Sequence, residues 1–365
     1  MASSRNRVRR TQEEQDDEVR GRWDRLFVEE EKRQRNLARI ALPTNRDDSD
    51  DDLATPSPIY DRCLRVQGPD RVLRMCNFAP VEFERIWDTV EDHIISNWNV
   101  GRGKKSAYSP KDVLFMTLGT LKPCGSWDVV SSMFNIDASP FQKMIKKFLD
   151  ILEPSLYDIF VVDVGKRWTM NQLTLSGHAF ENFPTARYAT YVTFQQANRP
   201  TGGYHHAKKY FSGKHFLYGY KVEVSVLPTG AAINCTKFAP GAEADLTMFR
   251  NNSAYHRSAL EKLPNEFELT DDGSLLDQYA NDWVVLVDKG YQGLVREFRA
   301  IQPKKKARGA PPLTMAETHE NDIISHDRVI VENYFGRLKT LWGVCSHKWG
   351  GMTSLMTRSS EREWL

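Results

Sequence analysis

A chain of 365 residues and 42.0 kDa, 40% hydrophobic and 11% aromatic, has enough apolar surface to bury two domain cores plus appendages. Its fifty Lys and Arg nearly balance forty-eight Asp and Glu, for a formal charge of +2, so attraction to nucleic acid must come from local patches rather than a whole-molecule field. The five cysteines form no CxxC pair, which argues against a zinc knuckle or a disulfide framework, and no apolar run approaches the roughly 20 residues of a membrane helix.

Residues 1–55 are dominated by charge, from RNRVRR to DDSDDD, and offer little apolar surface to offset the entropy of ordering. They are expected to be disordered, with a broken apolar stripe over 12–41 compatible with a transient helix. MASSRNRVRR lacks a hydrophobic signal core, so an intracellular location is expected, and RNRVRR has the composition of a nuclear-import or DNA-tethering arm.

From Asn77 to about residue 165 the apolar residues recur with helical spacing. Ser109 before Pro110 and Ser139 before Pro140 each read as an N-cap followed by a first-turn proline. Ser126–Phe134 and Phe141–Leu152, joined by a short connection, have the size and spacing of a helix-turn-helix. On the second of these helices Phe141, Ile145, Phe148 and Leu149 can pack inward. Lys143, Lys146 and Lys147 then point outward, where they can meet phosphates or simply be solvated.

Beyond Pro184 the pattern turns to strands. ARYATYVTFQ is β-branched and aromatic, and KHFLYGYKVEVSVLPTGAAINCTKF reads as two strands joined at LPTG. PGAEADLTMFRNN should open a helix, residues 251–281 read as an insertion, and WVVLVDKGYQG reads as a buried strand ending at Asp288. DRVIVENYFGRLKTLWGV is the last strong helix. The expectation is an α/β domain over 185–345, with a disordered polar tail over 346–365.

Asp288 lies where an α/β sheet presents groups to a ligand, although an Asp before Lys-Gly-Tyr can also merely shape a turn. Arg328, Glu332 and Lys339 project along one stripe of the last helix, which could equally be a salt-bridged face. Two carboxylates on rigid elements with cations beside them suit divalent metal and then a phosphodiester. DKGYQG together with Arg328, Glu332 and Lys339 resembles the second and third acidic motifs of Harbinger-type DDE transposases. PGAEADLTMFR resembles that family's Pro-Gly-x-x-x-Asp segment, and GSWDVVSSMFNIDASPFQKMIKKFL resembles its helix-turn-helix region. The likeness covers roughly residues 80–345.

The resemblance implies an RNase H-like mixed-sheet nuclease domain, preceded by an all-helical domain, that cleaves and transfers DNA strands with Mg²⁺ or Mn²⁺. Asp288 and Glu332 would be metal-binding catalytic carboxylates, Asp245 a further candidate ligand, and Arg328 and Lys339 accompanying cations. The first acidic position falls on Tyr191, a neutral phenol and a poor ligand, so metal binding should be weak and cleavage impaired. Asp163 is the nearest upstream carboxylate in an apolar setting, but it reads as part of the helical region. Strand alternation puts Ala189, Tyr191 and Thr193 on one face and Tyr188, Thr190, Val192 and Phe194 on the other.

The expected partner is DNA, either transposon ends or genomic sequence, with a DNA-binding partner protein a further possibility and no membrane. Lys208, Lys209 and Lys214, set among aromatic residues, form one basic cluster. Lys304, Lys305, Lys306 and Arg308 form a second. A non-enzymatic DNA-binding or interaction module derived from a transposase is the alternative reading, and a nuclear location is expected for either.

Overall fold

The computed structural model describes residues 55–201, 203–306, 309 and 311–346. The expected N-terminal segment 1–55 (all but its last residue), nearly all of the expected tail 346–365, and Arg308 lie outside the described residues. The described chain divides into two compact units. One holds the residues up to Ile95 with Asn99–Lys122, and the other holds Ser96–Trp98 with the residues from Pro123 onward.

The first unit contains helices α1 (Pro58–Gln67), α2 (Pro69–Cys76), α4 (Pro110–Leu121) and most of α3 (Pro80–Asn97). Its centre is aromatic: Tyr60 stacks on Phe83 at 4.5 Å, and both meet Phe115 edge-on, at 5.5 and 5.8 Å. Ser109 caps α4 as its sequence indicates, accepting the Asp112 N–H at 3.1 Å with Pro110 in the first turn.

The second unit opens with α5 (Trp127–Ser132) and α6 (Ala138–Tyr157), and Phe141, Ile145, Phe148 and Leu152 of α6 are buried. Leu149, read as inward-facing, is half-buried. Ser139 does not cap α6 as Ser109 caps α4. The helix begins at Ala138 with Asp137 as N-cap, which puts Ser139 and Pro140 inside the first turn. A π-helical turn (Asp158–Val162), α7 (Asp163–Arg167) and α8 (Met170–Leu175) lead to the sheet.

The sheet strands are β1 (Ala186–Gln196), β2 (Phe211–Ser212), β3 (Leu217–Val226), β4 (Ala232–Cys235), β5 (Ala239–Pro240), β6 (Val284–Leu286) and β7 (Ala300–Ile301). Helix α9 (Tyr204–Lys208) precedes β2, and α10 (Asp245–Asn251) and α11 (Ser253–Leu260) precede β6. Helices α12 (Met315–Leu341) and α13 (Gly343–Ser346) end the described chain. The order is β2-β3-β1-β6-β7, with β4 and β5 also paired to β3. β1 runs antiparallel to β3 and parallel to β6, and β6 is parallel to β7. A mixed sheet with β1 at its centre is consistent with an RNase H-like fold.

Both faces of the sheet are covered, so β6 is apolar throughout, and the polar residues of β1 and β3 that face the interior are buried with it. On one face Tyr188, Val192, Val285 and Val287 pack with Phe249, Leu260 and Tyr291. On the other, Ala186, Ala189, Val284 and Leu286 pack with Val331 and Phe335 of α12, and Tyr191 lies against this second cluster. The alternation read along β1 therefore holds. The stretch 251–281, read as an insertion, supplies His256, Leu260 and Glu266 to the buried interior.

Buried polar groups fix the connections. Glu223 of β3 is fully buried. Its carboxylate accepts from His256 Nε2 at 3.0 Å, Asn252 Nδ2 at 3.2 Å and Tyr291 Oη at 3.3 Å. Asp327 of α12 accepts the backbone N–H groups of Asn182 and Phe183 at 2.9 and 3.1 Å, tying the entry to β1 onto that helix. Asp271 pairs with Arg299 at 2.6 Å and Lys262 at 2.7 Å, and all three side chains are at most 6% exposed. Burial alone would raise the Asp271 carboxyl, but hydrogen bonds from Arg299, Lys262 and the Gly273 N–H hold it at about 2.

Asp271→Asn leaves Arg299 and Lys262 buried without their counter-charge, a change expected to cost about 3 kcal/mol or more at neutral pH. Because the folded carboxyl sits below its unfolded value of about 4, its contribution is present above that value and lost as pH falls toward 2. Urea denaturation of wild type and variant should therefore show a gap at pH 7 that closes progressively below pH 4.

Candidate active site

Tyr191 lies at the middle of β1, opposite Val224 of β3, on the face covered by α12. Its ring centroid is 6.0 Å from that of Phe335, and the Arg328 guanidinium lies 5.9 Å from it, within cation–π range. Burial pushes the phenol above its ordinary pKa. Asp288, Glu332 and Asp245 push the same way, while Arg328 opposes them. The phenol is therefore neutral at physiological pH. Tyr191 also lies within electrostatic reach of all three carboxylates singled out from the sequence.

Asp288 follows β6 and is the N-cap of a 3-10 turn, Lys289–Tyr291. Arg328, on α12 and 4% exposed, reaches back to it with Nη1 to Oδ1 at 3.3 Å. Glu332, one turn further along α12, is exposed, as is Lys339. Asp245 opens α10 and accepts from Lys221 Nζ at 2.8 Å, and Lys221 also donates to the Glu243 carbonyl at 2.7 Å. Alternation along β3 aims Lys221 and Glu223 the same way, one met by Asp245 and the other by the buried His256.

Gly290 explains how Asp245 comes against the Asp288 turn. A Cβ built at Gly290 would stand 2.5 Å from Asp245 Oδ2, so the absence of a side chain there lets the Asp245 carboxylate lie directly against the turn. Tyr291, next in the chain, is fully buried and anchors the turn from below by donating to Glu223. Gly290, Glu223 and His256 were not singled out from the sequence. The glycine within DKGYQG was the available signal, whereas the burial of Glu223 depends on partners distant in the chain.

The expected divalent ions need carboxylates free to coordinate them. Here Asp288 is engaged by Arg328, Asp245 is engaged by Lys221, and a neutral phenol stands where the resemblance led one to expect the first acidic residue. Among the described residues, no group of three or more His, Cys, Asp or Glu is disposed to hold a metal ion. In this arrangement the residues do not fit a two-metal centre.

Of the remaining expected residues, Lys143 and Lys147 of α6 are exposed and Lys146 is half-buried. Lys146 lies 6.0 Å over the Trp127 ring and Lys147 lies 5.3 Å over Trp98. Lys208, Lys209 and Lys214 are exposed around α9 and the β2–β3 turn, and Lys304, Lys305 and Lys306 are exposed before α12. Lys304 is paired with Glu320 at 2.7 Å. Asp163 lies in α7, paired with Lys166 at 3.1 Å. Among the described residues no helix is long and apolar enough to cross a membrane.

Gly290→Ala should push the Asp245 carboxylate and the Asp288 turn apart and cost about 1–3 kcal/mol, the range for overpacking a close contact. The check is denaturant unfolding, where Gly203→Ala, with open space around its Cβ and, like Gly290, no left-handed backbone, gives the conformational part of the effect alone.

Residues 190–353 match the family model described as DDE superfamily endonuclease, a span that includes Tyr191, Asp245, Asp288, Arg328, Glu332 and Lys339 and covers less than half of the chain. No curated protein and no solved structure matches the chain. The matched segment carries the β1–β3–β6 sheet and α12, and it supports a transposase-like nuclease domain.

Proposed function

We propose that this chain is a homologue of Harbinger-type DDE transposases that binds DNA, at transposon ends or genomic sites, and is impaired in metal-dependent strand cleavage and transfer. The observation that carries the proposal is the arrangement at Tyr191. A half-buried, neutral phenol stands where the resemblance expects the first acidic residue, and Asp288, the expected second, already has an arginine as counter-ion. A phenol with a reference pKa of about 10, raised further here, cannot supply the anionic oxygen that a divalent ion requires near neutrality. Without that ion, water or a DNA 3′-hydroxyl is not activated and the leaving oxygen is not stabilised.

DNA binding does not depend on the missing carboxylate. Lys208, Lys209 and Lys214 are exposed, as are Lys143 and Lys147 on α6, the second helix of the expected helix-turn-helix. A protein of this kind would act in the nucleus, alone or with a DNA-binding partner protein. The non-enzymatic reading, a binding module derived from a transposase, is the limiting case in which cleavage is lost completely.

With Mg²⁺ or Mn²⁺ on supercoiled DNA, the wild type should nick no faster than Glu332→Gln, whereas Tyr191→Asp should gain about tenfold or more, given that even supporting residues of metal sites contribute 10- to 100-fold. Wild-type nicking as fast as that of Tyr191→Asp, and abolished by Glu332→Gln, would overturn the impairment. In a separate titration of DNA affinity against salt, replacing both Lys208 and Lys209 by Ala should reduce the log–log slope by about 0.9 per lysine that meets a phosphate. An unchanged slope would remove these lysines from the interface.

A further inference from the structure

From Asn182 to Val222 the sequence contains no Asp or Glu, although acids and bases are nearly balanced in the whole chain. The part of this stretch after β1 carries Arg199, Lys208, Lys209, Lys214 and Lys221 with His205, His206 and His215, and it folds as α9 and the β2–β3 hairpin. The hairpin pairs Phe211 with Tyr218 and Ser212 with Leu217, leaving Gly213–Phe216 as an exposed loop. It closes with the Phe216 N–H donated to the Ser212 carbonyl at 2.8 Å.

At this tip the residue types are inverted. The left-handed backbone conformation falls on Phe216, at φ 54°, and not on Gly213, which would adopt it without steric conflict. The Phe216 side chain is also 78% exposed and makes no ring contact among the described residues. A disfavoured backbone and a solvated aromatic ring at one residue serve no purpose within the fold. Strain of this kind concentrates at sites that meet a ligand.

The tip is also close to the candidate site. His215 stacks on Phe194 of β1 with centroids 4.7 Å apart. Its imidazole is held down by burial and by Lys214, Lys221 and Lys339, with Asp245 opposing. The residue before Phe216 thus lies among cations that also border the carboxylates around Tyr191.

We propose that Phe216 is a stacking platform for an unpaired nucleobase of a single-stranded or locally opened DNA segment, whose phosphates the flanking lysines hold. The inference rests on the DNA-binding reading above and adds to it the residue and the base. Charge complementarity over an acid-free segment selects a polyanion, and a solvated aromatic ring selects one that carries flat π faces. An acidic protein segment would satisfy the cations and leave the ring unused.

The full-length protein is titrated with oligothymidylate and with an abasic oligonucleotide of equal length and charge, using wild type, Phe216→Asn and Phe216→Trp. Asparagine tolerates the left-handed backbone and so removes the ring while leaving the loop geometry intact. The expected result is a loss of about fivefold or more for Phe216→Asn on oligothymidylate only, full recovery with Phe216→Trp, and an unchanged salt slope. An equal loss on both oligonucleotides, or no loss on either, overturns the stacking role while leaving DNA binding standing. Tight binding of a polyglutamate peptide in place of oligothymidylate overturns it in favour of an acidic protein partner. Absence of salt-dependent binding of wild type to either oligonucleotide removes the DNA-binding reading and the stacking role with it.

Discussion

Glu223 is the constraint on which the active half of the molecule depends. A fully buried carboxylate is costly unless its oxygens are satisfied, and here each donor comes from an element that shapes the candidate site. His256 and Asn252 belong to α11 and to the junction that ends α10, whose first residue is Asp245. Tyr291 belongs to the turn that begins at Asp288. The hub extends further, since His256 Nδ1 meets Tyr188 Oη at 2.9 Å and the ring stacks on Phe249 at 3.6 Å. One side chain of β3 thus sets where two carboxylate-bearing segments stand relative to the central strand. The close approach at Gly290 is the outward result of that anchoring.

The sequence made the sheet legible because both of its faces are buried. WVVLV reads as an internal strand, and the period of two in ARYATYVTFQ put Tyr191 on the face of Ala189, opposite Tyr188 and Val192, as the two packing clusters have it. Ser109 could be read as a cap because nothing competed with it, whereas Ser139 lost that role to Asp137, an N-cap acceptable on equal chemical grounds. The polar interior was not legible. In VEVSV the glutamate reads as a solvated residue of a half-exposed strand, and its burial is licensed by His256 and Tyr291, 33 and 68 residues away. The same holds for 251–281, whose polar composition hides the buried roles of Glu266 and Asp271. Glu266 gathers the Met170, Asn171 and Leu263 N–H groups and the Trp283 indole, and Asp271 holds Arg299.

Among the site residues, position was easier to infer than state. The spacing of Asp288, Arg328, Glu332 and Lys339 indicated a shared neighbourhood. It did not reveal that Arg328 turns inward to pair with Asp288 beside the Tyr191 ring, or that Lys221 of β3 pairs with Asp245. These pairings depend on which rotamers the burial of β1, β3 and α12 leaves available, and sequence spacing carries no information about that. The exposed left-handed Phe216 was hidden for a different reason: a Lys-His-Phe turn looks ordinary until its backbone is known.

The Arg328–Asp288 pair has a consequence for how the domain behaves in different media. Three carboxylates and three cations, Asp245, Asp288 and Glu332 with Lys221, Arg328 and Lys339, border one region, so its charge is already balanced by covalently attached partners. An ordinary acidic nuclease centre is a cluster of like charges whose repulsion is relieved only when ions arrive, which couples its local order to the ionic supply. This domain carries its counter-ions on its own strands and helices. Under the reading proposed above, the order of this region would depend less on divalent ions than that of such a centre, because ion pairs within the chain already neutralise two of its three carboxylates.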